Sequence, residues 1–267
     1  MKSIDINPQA EKQIRAFVDS DAHASLLTGV KGVGLATIAS WFTKPVYVLG
    51  PELLTKTSTI PAIGVDQIRE LYNQTRSKVQ RSEFYIIDDA EMMTLPAQNS
   101  FLKLLEEPPT GARFILTSHH PDKLLVTIRS RVQQINVLSL HSKALDHMIT
   151  ESKVDEVKAR RLRFIAPGLP AELRRLLDDE LYYRTSVAEA SLAKQLVEAT
   201  SYQRLILLSK NTLTRSAALS LIERMINFLS LSPTDSQIQQ ISALLNTHAN
   251  IQANGNVKLQ LAAAMVY

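Results

Sequence analysis

Residues 84–109 read FYIIDDAEMMTLPAQNSFLKLLEEPP. Four residues, 84–87, open the run and predict a short strand covered on both faces. Asp88 and Asp89 follow at once, where the carboxyl end of that strand surfaces. At that edge an open α/β sheet carries its ligand chemistry. A helix comes next: Thr94 is placed to cap it, Pro96 suits its first turn, and Ala97, Phe101, Leu104 and Leu105 share one face. Pro108 and Pro109 end it, because neither can donate a backbone hydrogen bond. Taken alone, the acidic pair also fits an ordinary strand, turn and helix with solvated carboxylates.

The chain around this stretch has 267 residues, enough for two or three domains. Hydrophobic residues make up 45%, and only 8 glycines and 11 prolines are present, which argues for packed cores over long irregular tracts. A net charge of +4 is compatible with nucleic acid as a partner without requiring it. The absence of cysteine excludes disulfides and any thiolate zinc site. His119 and His120 are adjacent, so on a strand they point to opposite faces and do not share one metal. No apolar run approaches the ~20 residues that span a bilayer. The first residues, MKSIDINPQAEKQ, lack a signal-peptide core, so the expectation is a soluble, cytoplasmic protein without membrane partners.

Upstream, residues 1–22 predict a leading helix with Ile14 and Phe17 on its apolar side, and residues 24–27 a strand. TGVKGVGLATIASWF follows. Gly29, Gly32 and Gly34 have the spacing of a phosphate loop, GxxxxGK[ST], in which backbone N–H groups cradle phosphates, lysine offsets their charge and a hydroxyl holds Mg²⁺. Here the lysine position is Leu35 and the hydroxyl position is Ala36. Thr37 comes one residue late, about 100° round the helix. Lys31, inside the loop, has no evident reason to replace the missing ammonium. By itself the stretch reads as a glycine-rich turn without ligand; beside Asp88 and Asp89 it reads as a phosphate loop stripped of its catalytic groups. Residues 45–49 predict a strand and 50–61 a loop. Residues 65–79 predict a helix with Asp66 near its start, Ile68, Leu71 and Tyr72 inward, and Arg69, Arg76 and Lys78 polar.

Downstream, residues 113–117 and 133–138 predict two more strands, with PDKLLVTIRSR between them. Strand and helix then stop alternating. Residues 140–184 predict a small helical domain in which Gly168 and Pro170 break one helix and start the next. Residues 185–267 stay helical, with Leu192, Leu196, Leu205, Leu208, Leu221, Ile222, Met225 and Phe228 in apolar stripes, Pro233 opening a helix and Asn254-Gly255 marking a turn.

The acidic pair with AQNSFLKLLEEPP, the IGVDQIREL wording and a proline-led helix ending in Ser130-Arg131 resemble the AAA+ subunits of DNA clamp loaders. The specific wording lies between Gly29 and Arg131. Within that family the pattern of lost and kept groups is similar to the delta-prime type found with bacterial DNA polymerase III. The resemblance implies a parallel five-stranded α/β sheet flanked by helices over residues 1–139, a helical lid over 140–184 and an all-α collar over 185–267. It also implies roles. Asp88 and Asp89 stand at the second nucleotide motif, with Asp89 one methylene shorter than the usual glutamate. Ser118 or His119 stands at the γ-phosphate sensor, and Ala171 replaces a second sensing arginine, with Arg174 and Arg175 a turn later. Val132 replaces the cysteine that commonly follows the serine-arginine pair, and the zinc module common after the first helix is missing. Arg131, with Ser130, is implied as the finger that enters a neighbouring subunit's ATP site; such a group is worth roughly 10³–10⁵ in rate. The expectation is therefore a subunit without ATPase activity of its own, without zinc and with doubtful nucleotide binding. Its implied partners are the ATPase and delta subunits, the sliding clamp and primer-template DNA. The rivals are an ATP-hydrolysing gamma/tau-like subunit, a delta-type clamp-gripping subunit and a plain DNA-binding module.

Overall fold

The computed structural model describes residues 6–55, 61–75, 82–140, 142–211, 213–230, 234–253 and 255–265. Arg76, Lys78, Pro233 and Asn254, singled out above, lie outside the described residues. The chain divides into two compact units, Met1–Arg175 and Leu176–Tyr267.

The first unit begins with α1 (Pro8–Asp19), β1 (Ala24–Thr28), α2 (Leu35–Thr43), β2 (Tyr47–Leu49), α3 (Val65–Thr75) and β3 (Glu83–Ile87). It continues with α4 (Leu95–Glu106), β4 (Ala112–Ser118), α5 (Val126–Arg129) and β5 (Gln133–Asn136). The five strands form one sheet in the order β2-β3-β4-β1-β5, every neighbouring pair parallel. Since all strands run one way, their carboxyl ends share one edge. That edge collects the segments after Thr28, Ile87 and Ser118.

The period of two along a strand sends alternate residues to opposite faces. Tyr85 and Ile87 of β3, with Phe114 and Leu116 of β4, pack against Ile68 and Leu71 of α3 and Ala97, Phe101, Leu104 and Leu105 of α4. Ile86 and Ile115 face the other way, onto Ile14 and Phe17 of α1 and Leu35 and Ile38 of α2. Thr94 caps α4 through a bond accepted from the Ala97 N–H, and the helix stops at Glu106 before the two prolines. Arg113, at the amino end of β4, is only 7% exposed. Its Nε donates to Ala22 O at 3.0 Å, Nη1 to Val18 O at 2.7 Å and Nη2 to Phe17 O. The guanidinium also lies over the rings of Phe17 and Phe84. It thereby adds donors to the carbonyls of Phe17 and Val18 at the end of α1 and of Ala22 just beyond it, Phe17 O being shared with the Ser20 N–H and hydroxyl.

Three expectations need correction. Tyr72 is 43% exposed, not inward, because α3 turns only the side carrying Ile68, Leu71 and Thr75 to the sheet. The second strand runs only Tyr47–Leu49, at the sheet's edge, although the Val46 N–H still donates to Phe84 O at 3.0 Å. The last strand ends at Asn136, although the Val137 N–H still donates to Thr28 O at 2.7 Å.

Three helices follow the sheet: α6 (Ser142–Glu151), α7 (Glu156–Ile165) and α8 (Pro170–Asp178). The division between the units falls inside α8. The second unit holds α9 (Glu180–Glu198), α10 (Ser201–Lys210), α11 (Arg215–Leu229), α12 (Asp235–Gln252) and α13 (Val257–Met265). The lid-collar boundary expected at 184/185 therefore falls inside one continuous helix, α9. The second unit has its own core, including Leu196, Leu221, Ile222, Met225, Leu244, Ile251 and Leu261. No helix among the described residues is long and apolar enough to cross a membrane.

Candidate functional site

Gly34 is the N-cap of α2 and sits at φ 91°; Gly32 sits at φ 90°. Both values lie in the left-handed region that glycine enters without a Cβ clash. Gly29 is glycine for space: a Cβ there would lie 2.6 Å from Val137 O. The three glycines are thus required by backbone conformation and by close packing within the chain. Leu35, at the lysine position, is 2% exposed, and its Cδ2 would lie 3.3 Å from a Cβ on Gly29. Its apolar side chain turns back under the loop into the core. On the other side, the N–H groups of Ala171 and Glu172 both donate to Gly32 O at 3.1 Å. A Cβ on Gly34 would meet the Ala171 methyl at 2.9 Å. The first turn of α8 therefore seats directly on the loop, using donors that a helix start leaves free. Ala36 is half-buried, while Lys31 and Thr37 are exposed, as are Arg174 and Arg175 further along α8.

Beside the loop, at the end of β3, Asp88 Oδ1 accepts a 2.6 Å bond from Thr117 Oγ1, and the Asp89 N–H donates to the same hydroxyl at 3.0 Å. Asp89 adopts φ 48°, a left-handed conformation that a non-glycine residue rarely holds. Burial raises its pKa above the usual carboxylate value, the charges of Asp88 and Glu91 push it the same way, and His119 and Lys31 oppose them. His119 Nδ1 lies 2.8 Å from Gly29 O, and its backbone N–H donates to Glu91 Oε1 at 2.9 Å. A carbonyl cannot donate, so Nδ1 carries the proton and Nε2 faces Asp89 Oδ1 at 3.7 Å. His119 thus ties the loop to the acidic end of the sheet. Ser118 is fully buried, and its Oγ accepts from the His120 N–H at 3.1 Å. The hydroxyl that reaches the acidic pair belongs to Thr117, which the sequence reading passed over. Strand alternation was the available signal, since it places 117 and 119 on one face and 118 on the other.

Ser130 caps α5, its Oγ donating to Thr127 O at 3.1 Å. Arg131 follows and is exposed; its Nη1 donates to Thr127 O at 3.0 Å and its Nη2 pairs with Glu106 Oε1 at 3.0 Å. The segment bearing it is held by Gln98, a second residue passed over. The buried Gln98 amide donates to Met93 O at 3.2 Å and Lys123 O at 3.3 Å, and accepts from the Leu125 N–H at 2.8 Å. Arg131 lies two residues before β5, at the amino edge of the sheet, whereas Gly29–Gly34 lies past the carboxyl edge. At ~3.3 Å per strand residue the two are separated by about 15 Å, beyond an arginine side chain's span. The structure brings Asp88, Asp89, His119 and the glycine loop together and leaves Ser130 and Arg131 apart from them. Among the described residues no group of acidic and histidine side chains has metal-binding geometry.

A model of the family described as "DNA polymerase III, delta subunit" matches residues 50–141. The chain is 26% identical to DNA polymerase III subunit tau of Escherichia coli over 258 residues, 85% of this chain and 36% of that protein. It is 28% identical to subunit delta' of Bacillus subtilis over 183 residues, 59% of this chain and 55% of that one. It spans less than two thirds of the length of either. A gamma-subunit-related protein of Thermotoga maritima superposes with a TM-score of 0.57 at 23% identity, over 96% of this chain and 97% of that one. In sequence the chain is similar to the delta' and gamma/tau subunits of DNA polymerase III clamp loaders, and by strand order and superposition it has the AAA+ fold.

Proposed function

We propose that this chain is the delta-prime-like member of a DNA polymerase III clamp loader, a subunit that hydrolyses no ATP itself and lends Arg131 to a neighbour's ATP site. One observation carries the reading: the exposed guanidinium and the chain's own glycine loop stand at opposite edges of the sheet, so Arg131 does not reach that loop, which supports a role at a site on another chain. A permanently charged, planar guanidinium suits that task, because it grips phosphate oxygens with paired hydrogen bonds.

The loop supports the other half of the proposal. A triphosphate needs free N–H groups, an ammonium and a metal-holding hydroxyl. Here the ammonium is replaced by a buried Leu35, the hydroxyl by Ala36, and α8 covers the outer side. These residues do not fit the nucleotide. Within the assembly the partners are the ATPase and delta subunits, the sliding clamp and primer-template DNA, and the role is to help place the clamp on that DNA.

A second reading, an ATP-hydrolysing gamma/tau-like subunit, is favoured by the 258-residue similarity to tau. Two measurements on one preparation separate them. The purified chain alone shows no steady ATP turnover, and in the reconstituted loader Arg131→Ala slows the site it serves by about 10³-fold while the chain stays folded. Turnover by the isolated chain would establish the second reading, and an Arg131→Ala loader with full activity would remove the finger.

A further inference from the structure

We propose that Glu106 is a positioning residue for Arg131, the group that holds the finger in reach of the partner site; this rests on the reading of Arg131 given above. Arginine is long and has many rotamers, and at an exposed site nothing in its own backbone selects one. In this chain two contacts do: Thr127 O takes Nη1 and Glu106 Oε1 takes Nη2, both at 3.0 Å. A guanidinium has five N–H donors, so these contacts leave donors for a phosphate. The side chain remains 38% exposed while so held.

Glu106 is suited to the task by where it stands. It is the last residue of α4, whose Phe101, Leu104 and Leu105 are anchored in the core of the first unit. Near its other end the same helix carries Gln98, which fixes Lys123 and Leu125 ahead of α5. The helix therefore holds the finger segment at two points, one through backbone groups and one through the guanidinium itself. The carboxyl end of a helix also carries partial negative charge, which favours a cation there. The other arginine of the segment, Arg129, is turned to Asp122 at 3.8 Å.

The test uses the reconstituted loader carrying full-length variants of this chain. Glu106→Ala lowers kcat at the served site about three- to tenfold, the range set by a part-exposed ion pair and a small loss of alignment, with KM for ATP unchanged. Glu106→Gln keeps an oxygen acceptor at the same reach and recovers most of the rate. In an Arg131→Ala background, Glu106→Ala costs nothing further, because the side chain it positions is gone. Unchanged or faster turnover in Glu106→Ala overturns the proposal, and so does an equal loss in both backgrounds. If Arg131→Ala abolishes the served turnover while Glu106→Ala does nothing, the finger stands and the positioning role falls. If Arg131→Ala itself is without effect, both fall.

Discussion

Asp89 is a carboxylate under two burdens, a left-handed backbone and a raised pKa caused first by burial and then by Asp88 and Glu91. A carboxyl whose pKa is higher folded than unfolded binds its proton more tightly in the native state. The stability linked to that proton is complete below the ordinary carboxyl value of 3.8 and is lost as pH rises through the elevated folded value. Asp89→Asn keeps a residue tolerant of the left-handed region and removes only the charge. Its melting temperature is expected to exceed wild type at pH 7, with the gap closing as pH falls through the elevated carboxyl value and gone below about 4. Thermal unfolding followed by circular dichroism across that range checks the sign; a gap that widens in acid contradicts it. Residue identity exposed this site only in part. Leu35 and Ala36 were legible as positions without an ammonium or a hydroxyl, because their side chains carry neither wherever they point. Thr117 was hidden, since a threonine late in a strand is common and only the neighbouring strand end gives it a partner.

Elements were legible where the signal was local. Thr94, Pro96 and the two prolines after Glu107 marked both ends of α4, because caps and missing N–H groups act within a few residues of themselves. Arg113 gave no such signal. It sits in an apolar strand where a charge looks misplaced, and its partners at Phe17, Val18 and Ala22 lie more than ninety residues earlier. Arg113→Met fills a similar volume but removes the guanidinium's bonds to Val18 O and Ala22 O, while Phe17 O keeps the Ser20 N–H and hydroxyl. It is expected to cost about 2–4 kcal/mol, the loss of charged bonds to groups with little access to water. A lower urea midpoint at unchanged slope would report it; a midpoint within error of wild type would show that water or backbone movement satisfies the end of α1 instead.

At the scale of the whole molecule, each compact unit buries a core of its own, one around the sheet and one among α9 to α13. Two cores predict two cooperative unfolding events, and calorimetry should give a van't Hoff enthalpy below the calorimetric one. Ile222, fully buried in α11, belongs to the second core. Ile222→Ala should lower the stability of that unit by about 2–5 kcal/mol and leave the other transition where it was. Two transitions moving together would mean that the chain unfolds as one body.

The sequence by itself determined the alternation of strands and helices up to residue 138, the helical remainder, and that positions 35 and 36 carry neither an ammonium nor a hydroxyl. Those follow from periodicity, caps and side-chain types, which are properties of a residue and its near neighbours. Tertiary structure alone decided that α8 seats on the glycine loop, that Thr117 rather than Ser118 meets Asp88, and that Glu106 faces Arg131. Each of those pairings joins residues far apart along the chain, and only the packing of the sheet and its helices fixes which of many chemically able partners comes within 3 Å or so.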